Sequence, residues 1–212
     1  MAGYSQLDVY NRALSILGER AIATLTEQRE PRRQLDAFYT DAVNFCLAQG
    51  NWKHSLRAIY MQLDPSVNVQ FGWGTSFDEP SDWVRTYKLS NTPDFSVPLN
   101  NYMHQQGKFF TNDLNVYMNY VSNDPQFGWS LAKWRPGFFE YVAAYLAFCA
   151  GPRITQSMEV RKEVAEWLKK TRSIGLSNDA FDDPTVGLPT GSWVQSRRRG
   201  GGYKNIYPTD GW

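Results

Sequence analysis

Residues 138–149 read FFEYVAAYLAFC, with Glu140 the only formal charge among them. Pro136 and Gly137 stand just before the run and Gly151-Pro152 just after it. A stretch apolar around nearly its whole circumference belongs inside a protein, and twelve such residues are too few to cross a bilayer. The run therefore predicts a helix at the centre of a helical core, started at Pro136 and ended by Gly151-Pro152.

Helical spacing also appears upstream. Ser5 and Asp8 form a capping pair, and Leu7, Tyr10, Ala13, Leu14 and Leu17 then fall on one face before Gly18. After a polar stretch, Pro31 suits a first helical turn, and Leu35, Phe38, Ala42, Phe45 and Cys46 make a second stripe that stops near Gly50. Downstream, a last helix is expected from Thr155, with Val160, Val164, Trp167, Leu168 and Thr171 on its core face and Gly175 as its end.

The period changes to two between residues 52 and 134. Trp83, Arg85, Tyr87 and Leu89 alternate with Val84, Thr86 and Lys88, and Leu114, Val116, Met118 and Tyr120 alternate with Asn115, Tyr117 and Asn119. Pro80, Pro93, Pro98, Gly107 and Asn112-Asp113 supply turns between them, as a small antiparallel meander needs. The fold class expected is mainly α: a four-helix bundle core with an inserted antiparallel β lobe and an extended C-terminal tail. Residues 1–55 and 134–178 would build the bundle, residues 56–133 the lobe and residues 179–212 a docking arm.

Composition narrows the function. The 212 residues carry a net charge of +1, with 42% hydrophobic and 15% aromatic residues, including eight Trp and twelve Tyr. A near-neutral chain has no long-range field for nucleic acid, and so many large rings must be buried in a core or an interface. Cys46 and Cys149 lie far apart inside apolar patterns, which predicts buried free thiols in a reducing compartment. Asp8, Asn11 and Arg12 interrupt any signal-peptide core at the N-terminus.

Catalytic chemistry finds little to use. His54 and His104 are the two histidines, and neither lies near a nucleophile elbow. No His or Cys pair has metal-ligand spacing, Asp182-Asp183 lacks the rest of a calcium loop, and no phosphate-binding glycine loop follows a strand. The acidic residues are distributed as on an ordinary surface. The expectation is a protein that is not an enzyme and takes no cofactor and no metal.

The last thirty or so residues change character, with Asp-Asp-Pro, Gly-Leu-Pro, Arg197-Arg198-Arg199 and Gly200-Gly201-Gly202 in succession. Arg197, Arg198, Arg199, Tyr203 and Lys204 could pair with phosphates and stack on bases, as in a nucleic-acid segment. Trp193, Val194, Ile206, Tyr207 and Trp212 could instead anchor a strap that orders on a partner. A tail with no partner is the third reading. The strap is preferred, since that many large apolar side chains left bare would invite aggregation.

Several segments also resemble the head-to-tail adaptor family of tailed phages, over most of the chain. They are Asn11-Arg12-Ala13-Leu14 leading to Leu17-Gly18-Glu19 and Ile22, the segment 47–52, Gly107-Lys108-Phe109-Phe110-Thr111-Asn112, Val116-Tyr117-Met118-Asn119-Tyr120, and Pro136-Gly137-Phe138-Phe139-Glu140 running to Ala147. These are packing and turn motifs. The resemblance implies a helical bundle with a β lobe, joined into a homo-oligomeric ring of twelve subunits beneath the portal protein. It implies a structural place in the virion at the head–tail junction, after synthesis in the host bacterial cytoplasm. Its partners would be the portal, a tail nozzle or other tail protein, and DNA passing through the channel without sequence-specific contact, with no membrane involved. It brings no catalytic residue. The alternative is a nucleic-acid-binding accessory protein acting through residues 197–204.

Overall fold

A computed structural model describes residues 3–65 and 72–181. The chain divides into two units, residues 1–180 and residues 181–212, and all of the second beyond Phe181 lies outside the described residues.

Among the described residues of the first unit are four α-helices, two short 3-10 turns and six strands. Helix α1 (Gln6–Ile16) starts in a capping box: the Asp8 amide donates to Ser5 Oγ at 3.3 Å and the Ser5 amide to the Asp8 carboxylate at 2.8 Å. Gly18, at φ 72°, turns the chain out of it. Helix α2 (Glu30–Ala48) has Pro31 in its first turn and buries Leu35, Tyr39, Ala42, Val43, Cys46 and Leu47. Helix α3 (Pro136–Ile154) has buried residues on every side, from Phe138 through Leu146 to Ala150, with Glu140, Tyr145, Phe148 and Cys149 partly buried between them. Helix α4 (Met158–Ala180) buries Val164, Thr171, Gly175 and Asp179. Helices α1, α2 and α4 all pack on α3, while α1 meets α2 only slightly.

The strands are β1 (Leu56–Met61), β2 (Thr75–Asp78), β3 (Trp83–Ser90), β4 (Met103–Gln105), β5 (Lys108–Thr111) and β6 (Val116–Ser122). They form two antiparallel three-stranded sheets, in the orders β1-β6-β3 and β2-β5-β4. Val121 belongs to the helical core, with Leu56 and Val84 packed against it. Val116, Met118 and Tyr120 of the same strand enter a second core with Met61, Phe77, Leu89 and Phe109.

These observations correct the expected fold class. Among the described residues 45% are helical and 20% in strands, so the fold is mixed α/β, and its core is not a four-helix bundle. The physical reason is that the helices surround α3 instead of one another, and sheet residues Leu56, Val84 and Val121 complete the burial. The strands are not a meander either. Strand β6 is buried at Val116, Met118, Tyr120, Val121 and Ser122, so it must be covered along both edges, and it recruits β1 and β3 from far upstream. A tight hairpin joins β4 to β5, where Gln106 (φ 53°) and Gly107 (φ 71°) adopt the paired left-handed conformation of a two-residue turn. Alternation in β3 is broken by bulges between Trp83 and Arg85 and between Thr86 and Lys88. Leu114 falls outside β6 and is 71% exposed.

Two expected helix ends also differ. Helix α3 runs through Gly151-Pro152, because a proline in the last turn removes one bond from a ladder that is already ending. The amide and hydroxyl of Thr155 both donate to the Gly151 carbonyl, at 2.9 and 3.1 Å, and close that turn. Helix α4 runs past Gly175, because this glycine lets two helices touch. A Cβ on Gly137 would lie 2.9 Å from the Gly175 Cα, and a Cβ on Gly175 would lie 3.0 Å from the Gly137 oxygen. The substitution Gly175→Ala is therefore expected to lower stability by about 1–3 kcal/mol, although alanine is the better helix former. A urea unfolding midpoint at or above that of the natural sequence would show that the backbones do not meet this closely.

Candidate functional site

All ten tail residues singled out in the sequence lie outside the described residues: Trp193, Val194, Arg197, Arg198, Arg199, Tyr203, Lys204, Ile206, Tyr207 and Trp212.

Polar clusters of the first unit serve the fold. Asp82 accepts from Arg57 on β1 at 2.9 Å and from the hydroxyls of Tyr120 and Ser122 on β6. Burial pushes its carboxyl up, but the bonds from Ser122, Tyr120 and Arg57 outweigh that and hold it below the usual range. Phe127 lies beneath two cations, with Arg57 5.3 Å and Lys133 5.6 Å from its centroid. His104 stacks on Phe109 at 4.1 Å and meets the Glu79 carboxylate at 2.7 Å. Burial raises the thiols of Cys46 and Cys149, so little thiolate forms near neutral pH. Cys46 is buried as expected, whereas Cys149 is only half-buried.

His54 is different. Its ring lies 4.6 Å from that of Phe138, and neither ring nitrogen has a hydrogen-bond partner. Burial, with the Arg135 charge adding to it, pushes its pKa down to about 4. One residue earlier, the Lys53 amide donates to Asp179 of α4 at 2.9 Å, and burial raises that carboxyl. No group of three or more His, Cys, Asp or Glu among the described residues could hold a metal ion. No helix among them is long and apolar enough to cross a membrane.

Exposed aromatic side chains border hollows on both flanks of α4. On the α2 side, Phe45 is 42% exposed and stacks on Tyr145 at 4.3 Å, above a hollow of about 460 Å³ closed by Leu168, Arg172 and Leu176. On the α1 side, Trp167 is 36% exposed and separates two hollows of about 300 and 570 Å³. Arg12, Ile16 and Val164 line the first, and Lys162, Glu166 and Lys170 the second. A fourth hollow, about 470 Å³, opens on the lobe between β3 and Phe95, which has a left-handed φ of 56°.

The sequence pattern put Phe45 and Trp167 on core stripes, and the structure places both on flanks. The missed signal at Trp167 is its spacing of seven from Val160 and Ile174. That line drifts away from Val164, Thr171 and Gly175, three of the four buried positions of the helix.

No protein-family model matches the chain, and no curated protein matches it in sequence.

The buried neutral His54 sets a pH dependence. The unfolded chain takes up a proton at the ordinary histidine value of 6.5, and the folded chain does so only near 4. Stability is thus expected to fall as pH drops from about 6.5 to about 4, by up to about 3 kcal/mol from this residue. Asp179, raised in the folded state, contributes the opposite slope above its ordinary value of 3.8, so the comparison is made with a variant. In denaturant titrations across that range, His54→Phe should lose most of the acid-side decline. An unchanged pH profile would show that His54 does not carry it.

Proposed function

We propose that the chain is a structural subunit of the junction between the portal and the tail of a tailed phage, assembled as a closed ring around the DNA channel and acting without catalysis. The observation that carries this reading is the pair of unlike aromatic flanks on one helical layer. One is built on Phe45 and Tyr145 and the other on Trp167. A ring needs two different surfaces on every subunit, each facing the other kind on a neighbour, and exposed rings with a polar rim are the usual chemistry of such contacts.

The segments on which the resemblance rests support it as well, since each has a defined structural task. Asn11 accepts from the Ile22 amide at 2.9 Å and donates to the Ile22 carbonyl at 3.1 Å, which pins the loop after α1. Gly107 makes the β4–β5 turn, and Gly137 makes the close approach to α4. In this reading residues 193–212 bind the portal, and the lobe faces the tail proteins.

Deleting residues 193–212 is expected to leave a folded chain with unchanged thermal melting, since every described element ends before them. That chain should no longer co-sediment with its portal protein. Unaltered co-assembly would remove the docking arm from the proposal. Loss of a steeply salt-dependent DNA affinity, with portal binding intact, would favour the nucleic-acid alternative instead.

A further inference from the structure

Helix α4 carries an apolar line that its own fold leaves uncovered. Val160, Trp167 and Ile174 recur every seven residues and so rise along one side of the helix. Val160 tucks partly against the core, whereas Trp167 is 36% and Ile174 46% exposed. The line is displaced from Val164, Thr171 and Gly175, which are buried. A seven-residue apolar repeat on an exposed helix flank is a line along which a second helix can pack.

Charge selects the occupant and its direction. Glu163 precedes Trp167 by four residues and Lys170 follows it by three, both on the open side of the seam and both lining the larger hollow beside the indole. A second copy of α4 laid alongside in the same direction would set Glu163 against Glu163 and Lys170 against Lys170. A reversed copy, with a two-fold axis at Trp167, sets Val160 against Ile174 of the other copy and brings Glu163 beside Lys170 twice over. Opposite charges then meet at both ends of an apolar centre. The surface is self-complementary, as a two-fold contact requires.

We propose that two copies of the free chain pair antiparallel through α4, with Trp167 at the two-fold axis. A contact made by the flank of a single helix is at the small end of stable interfaces, so pairing should occur at micromolar concentrations, as an order of magnitude. Such a pair closes on itself and covers the α1-side flank. It would have to open before that flank could meet any other partner, whether or not the chain joins a portal.

The test is light scattering on the full chain at rising concentration, without any partner. The mass should rise from the 24.3 kDa of one chain to twice that value. Trp167→Ala should leave single chains at concentrations where the natural sequence is paired. Lys170→Glu, at an exposed position that does not threaten the fold, should weaken pairing by about tenfold. The double exchange Glu163→Lys with Lys170→Glu should restore it. Circular dichroism should stay unchanged throughout. A natural sequence that remains at single-chain mass overturns the proposal, and so does a pair whose Kd is unmoved by Trp167→Ala and Lys170→Glu.

Discussion

A helix that is apolar around its whole circumference cannot be left with a bare side, and the arrangement of the first unit follows from covering α3. Helices α1, α2 and α4 take three of its sides, and residues of the first sheet complete the enclosure. The start of α3 is shut by two indoles. Trp52 and Trp134 lie edge-on to Phe138 at 4.8 and 4.9 Å, and each satisfies its ring N–H on a backbone carbonyl, that of Cys46 and that of Gly128 respectively. Burying a Trp without such an acceptor would forfeit much of what its area contributes.

Strand β6 ties the lobe to this core. Its C-terminal end supplies Val121 to the helices, and the rest supplies Val116, Met118 and Tyr120 to the second apolar cluster. Asp82 fastens β1 to the same strand through Arg57, Tyr120 and Ser122. One strand is thus common to two cores, so packing changes in the lobe are felt by the helices.

The sequence made some of this legible and concealed the rest. The capping pair at Ser5, the stripe of α2 and the apolar run of α3 all report on local geometry, which the chain determines by itself. The ends of α3 and α4 were misread because Gly and Pro punctuate a helix only when nothing outside it uses them. Gly175 is spent on contact with Gly137, some forty residues away in the chain, and no local pattern records that. Strand order escaped for the same reason, since β1 and β6 pair across the whole of the lobe sequence. Trp167 looked like a core residue because a stripe of period 3.6 and a line of period seven nearly coincide over two turns. The tail anchors lie outside the described residues, and the candidate surface on α4 emerged only from exposure.

The bond from the Lys53 amide to Asp179 joins the last turn of α4 to the residues just before β1. Lys53 leads within three residues into β1, whose every residue from Leu56 to Met61 is paired with β6. In mechanical terms the end of α4 is an anchorage point: Asp179 is pinned to the residues that lead into β1, a strand whose Leu56 packs against one apolar core and whose Met61 enters the other.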